Sequence, residues 1–127
     1  MIQKDIANIL EANNLGIFGR DIFLNRLADK PNNAIAINLL PGFPFSPKRN
    51  DVTYSFQIIL RSTDYEKAYI DSVKIANIFD GGESRYNVAP SGRKMVCRLL
   101  NAPYSFNIDE SNRIYYSINF YVTTNRD

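Results

Sequence analysis

Arg113-Ile114-Tyr115-Tyr116-Ser117-Ile118-Asn119-Phe120-Tyr121-Val122-Thr123-Thr124 carries an apolar side chain at every second position, through Ile114, Tyr116, Ile118, Phe120 and Val122. Tyr115, Ser117, Asn119, Tyr121 and Thr123 fall between them. Successive side chains of a strand point to opposite faces, so the segment predicts a β-strand with one face on a core and one turned outward. Val52 to Arg61 has the same period: Val52, Tyr54, Phe56, Ile58 and Leu60 share one face, and Thr53, Ser55, Gln57 and Arg61 the other, with Ile59 the exception on the polar side. Ala34 to Leu40 is apolar almost throughout, which predicts a central strand covered on both faces. Asp21 to Leu27 and Lys94 to Asn101 are the remaining expected strands, giving about five.

Two segments switch to helical spacing. From about Gln3 to Asn13, the residues Ile2, Ile6, Ile9, Leu10 and Asn13 line one stripe, and Asn14 and Gly16 offer the left-handed turn that ends it. Ser62-Thr63-Asp64 supplies N-cap candidates for a helix running to about Phe79. Its expected buried stripe is Tyr65, Ala68, Tyr69, Ser72, Val73, Ala76 and Phe79; Glu66, Lys67, Asp71 and Lys74 lie outside, and Asp80-Gly81-Gly82 stops it. Helices must cover one face of the alternating strands. The expected fold is α+β, a mixed, mainly antiparallel sheet of about five strands with two helices packed on one face, in a single domain over residues 1–127. A parallel pairing of the third and fourth strands would require a right-handed crossover through the second helix.

Composition narrows the chemistry. The 127 residues include no histidine and one cysteine, with 15 Lys+Arg against 13 Asp+Glu. Imidazole general-base catalysis, His-activated nucleophiles, His-ligated zinc and an intrachain disulfide are therefore excluded. No cofactor, metal site or catalytic residue is expected. The net charge of +2 creates no strong field towards nucleic acid or a membrane. No apolar run reaches the ~20 residues of a membrane span, and the start lacks a secretory pattern, so a soluble protein made in a reducing cytoplasm is expected. Gly16-Ile17-Phe18-Gly19 precedes a strand and lacks the Lys-Ser/Thr end of a phosphate loop. Asp80-Gly81-Gly82-Glu83 lacks calcium-loop spacing. Asp109-Glu110 reads as a solvated hairpin loop whose pKa values have little reason to separate. Cys97, alternating with Met95 and Leu99, reads as a core thiol.

Contact surfaces are the more promising signal. Phe43 and Phe45 stand in the loop Pro41-Gly42-Phe43-Pro44-Phe45-Ser46-Pro47, whose three prolines exclude it from a ladder. Tyr115 and Tyr121 occupy the outer face of the last strand and are of a type enriched at interfaces. Together with Arg61 they are the candidate subunit or partner contacts. Arg85, Arg93, Lys94 and Arg98 form a mildly basic stretch that matters only if symmetry multiplies it around a channel, which Arg85, Arg93 and Lys94 would then face.

Further segments point to one family. Asp5-Ile6-Ala7-x-x-Leu10, Leu15-Gly16-x-x-Gly19-x-Asp21-Ile22-Phe23 and Asp29-x-Pro31-x-x-Ala34-Ile35-Ala36-Ile37 resemble the opening of the phage minor capsid or tail-terminator family of long-tailed phages. Phe56-Gln57-Ile58-Ile59-Leu60-Arg61-Ser62-x-Asp64-Tyr65-x-x-Ala68-Tyr69 is similar to its central strand-into-helix segment. The resemblance implies a mixed sheet with helices against it, no catalytic residues, and a homo-oligomeric, hexameric ring. Such a ring would cap the tail tube protein, meet the head connector or head-completion protein, and pass DNA without base specificity. It further implies a place in the virion, at the head-proximal end of the tail, after synthesis in the bacterial host cytoplasm. The alternative reading is a small nucleic-acid-binding module that stacks bases on an aromatic sheet face.

Overall fold

The last strand is the spine of the molecule. The structure, a computed structural model, describes residues 1–44, 48, 50–80 and 86–125. The elements run α1 (Ile2–Ala12), β1 (Ile22–Leu24), β2 (Ala34–Leu40), β3 (Asp51–Ser62), α2 (Tyr65–Phe79), β4 (Asn87–Val88), β5 (Lys94–Leu99), β6 (Tyr104–Ile108) and β7 (Ile114–Asn125). The sheet order is β1-β2-β3-β7-β5-β4, with β6 also on β7. Strand β7 pairs with β3 along its whole length, from Ser62 opposite Ile114 to Asp51 opposite Asn125. Its other edge is shared end to end: β5 takes Phe120 to Thr123, and β6 takes Ile114 to Ser117. All pairs are antiparallel except β1 with β2. The mixed, mainly antiparallel α+β reading holds.

Among the described residues there are seven strands where about five were expected. Two-residue β4 is too short to show a period, and β6 has no buried residue to mark an inward face. Strand β1 stops at Leu24, short of Leu27, because Asn25 turns left-handed (φ 65°). Strands β3 and β5 lie on either side of β7, each antiparallel to it, so they run parallel without pairing, and the connection through α2 crosses over the intervening strand.

Both helices contribute to one core with the same face of the sheet. Ile6 and Leu10 of α1, and Ala68, Ile75 and Phe79 of α2, join Ile35, Ile37, Phe56, Ile58, Ile118, Phe120 and Val122. The Phe120 ring is stacked against Phe79 at 4.6 Å and Phe56 at 5.7 Å. Asp64 caps α2 by accepting from the Lys67 backbone N–H at 3.0 Å. The buried face of α2 is rotated from the expected stripe, with Ile75 inside and Tyr65 and Tyr69 exposed. The small residues Ala68, Ser72 and Ala76 set the helix close to the sheet, and the two larger tyrosines are left at its flank; Tyr69 meets Tyr116 edge-on at 6.5 Å. Asn13 is the C-cap of α1, its side chain donating to the Ile9 carbonyl at 2.8 Å, and not part of the apolar stripe. Lys74 Nζ donates to the Asn13 carbonyl at 2.7 Å, tying α2 to the end of α1. Cys97 is buried, and burial pushes its thiol up to about 11 against a weaker lowering by a hydrogen bond with Asn87. No helix among the described residues is long and apolar enough to cross a membrane.

Candidate functional site

With both helices on one side, no helix among the described residues covers the other face of the sheet. Its centre is polar. Asn38 Nδ2 donates to Gln57 Oε1 at 3.4 Å, and Gln57 Nε2 and Asn119 Nδ2 each donate to Ser117 Oγ at 3.1 Å. The row crosses β2, β3 and β7, and the hydroxyls of Thr53 and Thr123 meet beside it at 2.9 Å. Such cross-strand pairs hold the sheet in register.

Aromatic residues stand at both ends of this row. Phe43, 54% exposed, meets Tyr121 edge-on at 5.3 Å. The chain reaches Phe43 through Gly42, where a Cβ would come within 2.9 Å of the Thr53 carbonyl, so only glycine lets the loop run this close to β3. Phe45 lies outside the described residues. At the far end the Tyr115 ring lies 5.9 Å from Phe106 and 6.0 Å from the Arg61 guanidinium. Two expected contact residues, Phe43 and Tyr121, are thus brought together, while Tyr115 is six positions away along β7, ~20 Å at strand rise. Amides and hydroxyls, with Ile59 among them, fill the space between. The face is not a continuous stacking platform.

Arg61 has a different use from the one expected of it. It is 3% exposed and donates to four carbonyls of the loop before β2: Ala28 at 2.6 Å, Asp29 at 3.2 Å, Pro31 at 2.6 Å and Asn32 at 3.1 Å. A guanidinium whose donors are taken inside the subunit braces it and does not present itself to a neighbour. Arg113 grips the same loop, donating to the Asp29 carbonyl at 2.6 Å and to Asp29 Oδ1 at 3.1 Å, and pairs with Asp109 at 2.8 Å.

Asp109 departs from the solvated-loop reading. Asn112 turns left-handed (φ 58°) and folds the chain back, so that the backbone N–H groups of Ser111 and Arg113 reach Asp109 Oδ1 at 2.9 and 3.0 Å. The Tyr115 hydroxyl donates to Oδ2 at 2.8 Å. Partial removal from water acts to raise this pKa. The hydrogen bonds from the Arg113 backbone, the Tyr115 hydroxyl, the Arg113 guanidinium and the Ser111 backbone outweigh it and hold the carboxyl at about 2, below the ordinary 3.8. A depressed folded-state pKa stabilises above the unfolded value and is lost as pH falls through the folded one. Stability is therefore expected to decline from near pH 4 towards pH 2. Asp109→Asn should flatten that decline in denaturant unfolding measured across pH 2–5 and lower stability at neutral pH; an unchanged acid limb would contradict the assignment.

The basic stretch is split. Arg93 Nε pairs with Asp5 of α1 at 2.7 Å, and its Nη1 donates to the Asn125 carbonyl at 3.0 Å. Asp5, buried, also accepts from the Ser91 hydroxyl at 2.8 Å. Arg93 therefore fastens the β4–β5 turn to α1, and its charge is matched within the subunit. Lys94 is exposed, its ammonium 5.9 Å from the Tyr86 ring centroid. Arg85 lies outside the described residues. A polar cleft of about 280 Å³ at the sheet end is lined by Arg20, Asp21, Lys67 and Asp71 among others. Its charges are directed at each other, Arg20 to Asp21 at 3.4 Å and Lys67 to Asp71 across one helical turn.

The surface that sequence reading missed is β6. Tyr104, Phe106 and Ile108 are all exposed on a strand bonded to β7 along one edge. The alternation Tyr104-Ser105-Phe106-Asn107-Ile108 is its signal, short but complete.

Residues 9–126 match the family described as bacteriophage tail terminator protein. Among curated proteins no sequence matches. A chain of the "Virion of native gene transfer agent (GTA) particle" superposes with a TM-score of 0.56 at 10% identity, covering 95% of this chain and 94% of that one. At that identity the likeness is one of fold.

Proposed function

Because the chain belongs to the bacteriophage tail terminator protein family, and so is a structural component of a virion, we propose that its copies close into a hexameric ring. The ring caps the head-proximal end of the tail tube, stops its polymerisation and meets the head connector. The observation that carries this reading is the exposed apolar surface on β6 and on the flank of α2. Tyr65, Tyr69, Tyr104, Phe106 and Ile108 are each between 42% and 58% exposed, large apolar side chains of the kind that partner surfaces cover. The role is one of fit, without turnover: the chain has no histidine, and the charges lining its polar cleft are spent on each other. In such a ring the exposed Lys94 of each copy is the residue that would add positive charge beside passing DNA, touching phosphates without reading bases. Reversing Arg93 instead would test folding, since it removes the partner of Asp5.

Particles made without this protein are expected to carry tails of uncontrolled length and no attached heads. Adding the purified protein to them should restore joining. Headed particles of normal tail length in its absence would overturn the proposal.

A further inference from the structure

We infer that neighbouring copies join by continuing the sheet, the open edge of β6 in one copy pairing with the open end of β2 in the next. The inference rests on the ring reading and specifies its contact. Strand β6 is bonded to β7 on one side, and among the described residues no strand covers the other. Edges left open in soluble proteins are usually guarded by charge or proline. Tyr104 to Ile108 contains neither, and its one irregularity is a bulge between Ser105 and Asn107.

The second open edge lies on the opposite side of the sheet. Strand β1 covers β2 only from Ile35 to Ile37. The Ile35 N–H donates to the Asp21 carbonyl and the Ile37 carbonyl accepts from the Asn25 N–H, so the odd-numbered residues of β2 turn their backbone groups outward. By the same period Leu39 turns its N–H and carbonyl outward beyond the end of β1. Leu39 and Leu40 are 40% and 37% exposed and lead into exposed Phe43, again with no charged residue between.

Two different edges on one subunit are what head-to-tail assembly needs. Strands β2, β3, β7 and β6 are neighbours in that order and successively antiparallel, so β6 of one copy meets β2 of the next antiparallel without inverting the subunit. The edges are also staggered. Leu39 is level with Phe56 and Phe120, whereas β6 faces Ile114 to Ser117, three to six residues further along β7, or ~10–20 Å. A constant stagger tilts each sheet against the next, as in the closure of a barrel, and turns an open row into a circle. Tyr104, Phe106, Ile108, Leu39, Leu40 and Phe43, each about half exposed, offer roughly 600 Å² of apolar side chain per junction. With the intervening backbone, that approaches the ~1,200 Å² at which specific interfaces begin. Because both edges are uncharged, repeating the contact around a ring accumulates no like charge.

Leu39→Lys and Phe106→Lys, each on an exposed position, should leave the monomer's circular dichroism and unfolding midpoint unchanged and abolish rings seen by native mass spectrometry and on tail tubes. An equimolar mixture of the two should stop at a dimer, because one intact edge of each kind remains and no second junction can form. Pairing Leu39→Cys with Ser105→Cys or Phe106→Cys should give an oxidised ladder that ends at the closed ring, with buried Cys97 taking no part. Wild-type rings that persist in both lysine variants and yield no cross-link overturn the edge assignment and leave the ring reading standing. Loss in Phe106→Lys alone means back-to-back β6 pairing and overturns the head-to-tail contact. A wild-type chain that is monomeric both in solution and on tail tubes overturns the ring reading and this inference together.

Discussion

Replacing Arg61 with methionine should lower the unfolding free energy by about 3–4 kcal/mol, because several hydrogen bonds from one charged donor, each worth roughly 1.5–3 kcal/mol, are lost together. Methionine keeps much of the packing volume but none of the donors. The carbonyls of Ala28, Asp29, Pro31 and Asn32 then lose a charged partner at a position only 3% exposed. Those carbonyls belong to the loop that leads from β1 into β2, so the loss should loosen the docking of β1. Lysine should rescue little, because a point charge cannot replace a planar fork that reaches several oxygens at once. Since whole domains are stable by only ~5–15 kcal/mol, such a variant should be near its folding limit at room temperature. Denaturant unfolding measures the effect; a change below about 1 kcal/mol would mean that water takes over the carbonyls at little cost.

Phe120→Ala should cost a comparable amount, about 4 kcal/mol, for a different reason. Phe120 is fully buried between the rings of Phe79 and Phe56, so truncation opens a cavity where helix and sheet meet. The surrounding rings belong to a regular helix and a twelve-residue strand, neither of which can collapse far into the space. Phe79→Ala combined with Phe120→Ala should be less damaging than the sum of the single changes, because the two lose the same stacked contact. A calorimetric scan of the three variants tests both statements, and full additivity would show that the rings are energetically independent.

Much of the fold was readable before any coordinates. The two-residue alternation in Val52 to Arg61 and Arg113 to Thr124 gave two twelve-residue strands nearly to their ends. The start of α2 was legible in Ser62-Thr63-Asp64, residue types that cap helices, and the structure selects Asp64 from the three. The family resemblance carried by the Leu15, Asp29 and Phe56 segments agrees with the match over residues 9–126, which begins near the end of the Asp5 segment. Errors came where local pattern and packing diverge. The tyrosines of α2 fit a helical stripe, but the sheet accepted Ala68, Ser72 and Ile75 instead. Strand β6 carries only a five-residue alternation with no buried face, too short a signal by itself to separate it from the loops around it.

Periodicity, caps and composition were properties of neighbours in the chain, so the sequence alone determined the two helices, the principal strands and the absence of imidazole chemistry. Tertiary structure decided which charges remain available and which edges stay open. Arg61 meets carbonyls about thirty positions away, Arg93 meets Asp5 across 88, and Arg113 meets Asp29 across 84. Partners so distant are chosen by the order in which strands stack, and no local spacing encodes that order. The same stacking places β6 and the end of β2 on opposite sides of one sheet, where, among the described residues, each has one edge that no strand pairs.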